Sequence, residues 1–137
     1  MRKSLSISLI AGAAALLGTA AIAQRGDRPA ERDLKLMDTW LAGKEPGQAV
    51  SCIPLRQIRS TYYVGGRTIL YRMRNGIVYR NEPPGGCPGL NSNLALETRN
   101  PTGLLCSGEI AHVRDYSQGY SPGSCALGEF VPFRRVR

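Results

Sequence analysis

At 137 residues the chain has room for one domain and not two, and a domain of that size has little apolar core to spare. Its 18 Lys+Arg against 10 Asp+Glu, net +8, point toward anionic surfaces and away from basic partners. One histidine, and four cysteines with no C-x-x-C among them, exclude the familiar zinc and dithiol-redox patterns.

The chain opens with Arg2 and Lys3, an apolar run from Leu5 to Ile22, and the A-x-A pattern Ala21-Ile22-Ala23. These are the charged, apolar and cleavage regions of a signal peptide (residues 1–23), with cleavage near Ala23 and Gln24 as the new N-terminus. The leader is short and alanine-rich, and no second apolar segment follows it, so the mature chain is expected to lack a transmembrane span. A periplasmic or secreted protein of about 114 residues and about +6 is expected. The partners that fit are an anionic lipid, lipopolysaccharide, an acidic glycan or an acidic protein; nucleic acid does not fit outside the cytoplasm. No cysteine directly follows the cleavage site, so no lipoprotein attachment point is expected.

Residues 24–48 form an N-terminal segment, loose over 24–28 and helical over about 29–42. Asp27 can cap that helix, Pro29 suits its first turn, and Glu31 favours the positive end. Leu34, Met37 and Leu41 make an apolar stripe with Trp40 beside it, and Gly43 and Pro46-Gly47 stop the helix. The stripe reads as a packing face, with Trp40 as a contact residue if the helix docks loosely.

From residue 49 to 137 the pattern is β-like. Gly65-Gly66 and Asn75-Gly76 separate three short runs and are read as two-residue hairpin turns. Those turns pair Val64 with Arg67 and Met73 with Val78, and place Tyr62, Val64, Ile69, Tyr71, Met73 and Val78 on one apolar face of a three-stranded meander. They also set Arg72 opposite Tyr79 as a cation–π pair. Residues 83–89 (Pro-Pro-Gly-Gly-Cys-Pro-Gly) can only be loop. Strands are expected over Leu94–Arg99, Leu104–Arg114 and Cys125–Phe133, with a long loop over Asp115–Ser124. The fold expected is mainly β: a small, bent antiparallel sheet or barrel of about five to seven strands with one N-terminal amphipathic helix.

No motif reveals an activity. His112 would have to carry any acid–base chemistry near neutral pH, but Ser107-Gly108 is no nucleophile elbow, and a strand through Glu109–Arg114 would turn Glu109 and His112 to opposite faces. No catalytic residue, cofactor or metal site is assigned. The suggestive feature is an interleaving of basic and aromatic residues: Arg56, Arg59, Tyr63, Arg67, Arg72, Arg74, Tyr79 and Arg80. Arginine forks bind phosphate or carboxylate, so Arg67, Arg72 and Arg74 with Tyr63 and Tyr79 are the candidate binding face, joined by Tyr116 and Tyr120 on the long loop. The leading expectation is a non-catalytic periplasmic binding protein for an anionic envelope component or acidic partner. The alternatives are an inhibitor of an exported enzyme and a small hydrolase using His112.

The even cysteine count in a small exported chain reads as two disulfides among Cys52, Cys87, Cys106 and Cys125, and spacing alone leaves all three pairings open. From Cys52 to Phe133 the chain resembles a family of small exported proteobacterial proteins of unknown function. The resemblance rests on Cys52-Ile53 with Ile58, the run Arg67 to Tyr71, Cys87-Pro88-Gly89-Leu90, Leu105-Cys106-Ser107-Gly108 and the run Cys125 to Phe130. It implies a periplasmic, disulfide-bonded domain and brings no activity or catalytic residue. The pairing Cys52–Cys106 with Cys87–Cys125 is taken as the expectation, since it joins two strand-borne cysteines and ties the Pro/Gly loop to the last strand.

Overall fold

The structure is a computed structural model that describes residues 29–137. The expected signal peptide with its cleavage near Ala23, the 24–28 stretch and the expected Asp27 cap lie outside the described residues. The chain runs through helix α1 (Glu31–Leu41), strands β1 (Lys44–Pro46) and β2 (Cys52–Pro54), and a 3-10 turn at Leu55–Gln57. Strands β3 (Ile58–Val64), β4 (Thr68–Met73) and β5 (Val78–Asn81) follow, then β6 (Ala95–Thr98), β7 (Leu104–Cys106), β8 (Ile110–Asp115), β9 (Tyr120–Ala126) and β10 (Phe130–Arg135). The protein is thus mainly β with one helix. Its strands form a five-stranded sheet in the order β1-β10-β5-β4-β3, a three-stranded sheet β6-β8-β9 and the pair β2-β7, all antiparallel and not closed into a barrel. The excess over the expected strand number lies in β1 and β2, three-residue strands too short to show an alternation, and in the run expected as one strand over Leu104–Arg114, which splits into β7 and β8 at a turn where Gly108 takes φ +82°.

The meander forms where the sequence places it, but in a different register. Val64 pairs with Thr68 and Tyr71 with Tyr79, so each turn holds three residues instead of two. At the second turn the Met73 N–H donates to the Ile77 carbonyl at 2.8 Å, and Gly76 takes φ +85° to close a three-residue loop. At the first, Gly65 adopts φ +58° and packs so close to Pro29 that an added Cβ would lie 3.3 Å from its ring. A slip of one residue turns a strand over. Tyr62, Val64 and Val78 therefore leave the face of Ile69, Tyr71 and Met73 and join Leu70 and Arg72, while Tyr63 and Tyr79 cross the other way. The expected Arg72–Tyr79 pair is accordingly not made: Arg72 stands opposite Val78.

Both faces of this sheet are covered. On the inner side Ile69, Tyr71 and Met73 pack against Ala111 and Val113 of β8, Leu105 of β7 and Phe130 of β10. On the outer side Val64, Leu70, Val78 and Phe133 are covered by Met37, Trp40 and Leu41 of α1. The helix docks lightly. None of its residues is fully buried, and no side chain caps its start at Ala30. It is held by its apolar stripe, by the Tyr62 hydroxyl donating to Asp33 Oδ1 at 2.8 Å, and by the Lys44 ammonium donating to the Trp40 carbonyl at 2.7 Å.

The disulfides are Cys52–Cys106, between register partners on β2 and β7, and Cys87–Cys125, which ties the Pro/Gly loop to β9. Each is of a kind that contributes roughly 2–4 kcal/mol. The stretch expected to be a long loop is instead a hairpin. Asp115 Oδ1 accepts from the Ser117 and Gln118 N–H groups to build a tight turn, and β9 starts at Tyr120. The run expected as one strand from Cys125 to Phe133 breaks at Gly128, where a Cβ would press into the Glu82 carbonyl.

That break is held by Asn81, the one charged or amide side chain that is fully buried among the described residues. Its Nδ2 donates to the Gly128 carbonyl at 2.6 Å, and its Oδ1 accepts from the Gly128 N–H at 3.0 Å. Removing the amide strands both backbone groups. Asn81→Ala is expected to lower stability by about 1–3 kcal/mol in urea unfolding, with little change in the slope.

Candidate anion-binding site

Where the helix ends, the chain turns through Gly43 and returns as β1 along the outer edge of the sheet, so Lys44 lies beside Arg135 of β10. Arg72 projects from β4 on the same outer side. Trp40, on the last turn of α1, takes the Arg72 guanidinium over its ring, 3.9 Å from the centroid, and leans on Tyr62 with ring centroids 5.8 Å apart. A cation flat on an indole is attracted by the ring quadrupole, and the stacking leaves the N–H edges of the guanidinium pointing outward.

These groups line a cleft of about 700 Å³ between the helix end (Thr39, Trp40), Lys44, Arg72, the turn Asn75-Gly76-Ile77, and Arg134 and Arg135. Lys44, Arg72 and Arg135 bring three cations to it from one face and no carboxylate lines it, while Arg134 borders it with its guanidinium turned to the other face, beside Gly47 and Pro132. Among the described residues the ion pairs engage Arg32, Lys35, Arg80, Arg99 and Arg114, and none engages these four. Glu45 stands opposite Arg134 in the ladder without forming an ion pair to it. Like charges gathered around one cleft repel one another. A bound anion would offset that repulsion. Lys44 registers the crowding: its pKa is lowered from 10.5, first by burial, then by the charges of Arg135 and Arg72.

Of the residues expected on the binding face, only Arg72 lines this cleft, joined there by Trp40 of the lightly docked helix. Tyr63 and Tyr79 sit on the inner face, half-buried against the core. Arg67 and Arg74 are exposed at the two turns flanking β4, and Tyr116 and Tyr120 are exposed at the β8–β9 hairpin. The single basic–aromatic face is therefore dispersed by the register shift. Lys44 and Asn75 carried no sequence signal for a site. The Arg134-Arg135 pair stands in a basic run at residues 134–137, and nothing in the sequence pattern joins it to Trp40.

His112 falls in register between Glu97 and Ser124 on the outward side of the three-stranded sheet. No hydrogen bond links the three. Glu97 is instead held by the Arg114 guanidinium at 2.8 Å and by Arg99 at 3.5 Å, which lowers its pKa. Asp115 is committed to its turn, where the Ser117 hydroxyl lowers its pKa first. Among the described residues no group of three His, Cys, Asp or Glu gathers as a metal site, and no helix is long and apolar enough to cross a membrane.

Comparison with protein-family models, with curated proteins and with solved structures finds no match to this chain.

Because Lys44 is depressed, the folded protein binds fewer protons than the unfolded chain between its lowered pKa and 10.5. In that window the stability contributed by Lys44 rises with pH. Anion affinity runs the opposite way, since deprotonation removes a cation from the cleft. Trp40 is the one tryptophan, so its emission reports on the cleft directly. A titration with inorganic phosphate followed by that emission is expected to weaken as pH rises toward 10.5, and Lys44→Gln is expected to flatten this dependence.

Proposed function

We propose that this chain is an exported, non-catalytic binding protein for an anionic component of the cell envelope, held at the cleft between the end of α1 and the outer face of the five-stranded sheet. The observation that carries the reading is the gathering of Lys44, Arg72 and Arg135 around one cleft with no carboxylate among its lining. A leader of signal-peptide type, two disulfides and the resemblance to small exported proteobacterial proteins support the envelope as the place of action. Within that setting an anionic lipid or the phosphates of lipopolysaccharide fit the arginine forks best; an acidic glycan or acidic protein surface offers similar chemistry with more widely spaced charge.

A second reading, inhibition of an exported enzyme, draws on the β8–β9 hairpin, whose Tyr116 and Tyr120 are 76% and 55% exposed. Two large rings at a hairpin tip suit insertion into a cleft.

Co-sedimentation of the purified protein with vesicles containing anionic lipid or lipopolysaccharide, and with peptidoglycan, separates these readings. Binding is expected to fade as salt rises. The double substitution Arg72→Glu with Arg135→Glu is expected to weaken it at least about tenfold, since each charge-assisted contact contributes about 1.5–3 kcal/mol. Undiminished binding by the double variant would reject the cleft. No binding at any salt, together with inhibition of an exported hydrolase, would favour the hairpin.

A further inference from the structure

We infer that the seam between the two larger sheets holds a second site, for a compact apolar molecule that bears one neutral carbonyl oxygen. The edge strands β3 and β6 face each other across this seam without pairing. What crosses it is the Leu96 N–H, which donates to the Tyr63 hydroxyl oxygen at 3.2 Å. Beside that contact lies a slot of about 260 Å³ lined by the tyrosines Tyr63 and Tyr71, the threonines Thr61 and Thr98, and the apolar side chains of Leu55, Ile58, Leu96 and Leu105, on the opposite side of the sheet from the basic cleft.

Two phenolic protons at this slot lack acceptors. Tyr63 already accepts from Leu96, and its own O–H finds no partner among the described residues. Tyr71 is only 4% exposed, packs on Phe130 with ring centroids 5.8 Å apart, and its hydroxyl makes no hydrogen bond among the described residues. Arg80 Nε, 3.4 Å from Glu82 but poorly aligned with it, is the sealed side-chain polar atom left without a hydrogen bond among the described residues. The Tyr71 oxygen is therefore not sealed: it opens onto the slot its side chain lines. Burial raises the Tyr71 pKa, so the group stays a donor at any physiological pH.

The lining decides what such donors can hold. No charged side chain lines the slot. A carboxylate would be buried there without a counter-ion, at a cost that two neutral donors do not offset. A neutral carbonyl takes a phenolic proton without that cost. A cavity of roughly 150 Å³ is enough to take up benzene, so this slot has room for one ring and a small carbonyl substituent.

Acetophenone is the probe, with ethylbenzene as its shape-matched partner lacking the oxygen. In amide chemical-shift titrations of the whole protein, acetophenone is expected to bind about fivefold more tightly than ethylbenzene, the worth of one net hydrogen bond. Tyr71→Phe removes only a hydroxyl and is expected to keep the fold and the ethylbenzene affinity while erasing the preference. Leu96→Trp fills the slot and is expected to abolish saturable binding of both. No saturable binding to the unmodified protein, or a preference that survives Tyr71→Phe, would overturn the inference.

Discussion

The structure depends on strand β4 being buried on both faces. Ile69 and Leu70, adjacent in sequence and pointing opposite ways, are each fully inaccessible to solvent. Half-burial would have let α1 float free and left Arg72 on an open sheet surface. Double burial demands a cover on each side: β7 and β8 supply the inner one, and a single short helix supplies the outer one. The helix is the weaker cover, because an 11-residue segment with no fully buried side chain gains most of its stability from docking. Wherever it docks, Trp40 goes too, and Trp40 orients Arg72.

This double burial also explains what could be read from the sequence and what could not. The helix, the meander, the antiparallel β class and the two turn positions were legible, because periodicity and glycine placement encode them locally. The register was not. With both faces apolar, a one-residue slip exchanges one hydrophobic set for another instead of exposing it, so the alternation test loses its power. Each hairpin slips by one residue, so β3 and β5 flip together relative to β4, and their agreement was no check on the register. Tyr63 and Tyr79 were assigned outward for that reason. The turn over residues 116–119 was hidden by a Tyr/Ser/Gly/Pro composition that reads as loop, although Asp115 at its head carried the turn chemistry.

The candidate site escaped for a different reason. Its members come from residues 39–44, 72–77 and 134–135, three segments joined only by sheet order. Their shared property is sign of charge, and charge has no period in sequence. Three contacts gather the cations: the β1–β10 pairing brings Lys44 to Arg135, the stacking on Trp40 turns Arg72 toward them, and the Lys44 bond to the Trp40 carbonyl closes the helix end. Each of these serves the fold as well. A cluster held this way keeps its charges close in the absence of any ligand, and that preorganisation is what an anion site requires.

The most direct test of the account is a map of amide and indole chemical shifts as inorganic phosphate is added to the protein. If the cleft is the anion site, the changes will saturate and concentrate on the Trp40 indole N–H, Lys44, Asn75, Gly76 and Arg135. Changes spread evenly over the exposed arginines Arg56, Arg59, Arg67 and Arg99, with no saturation at Trp40, would contradict it.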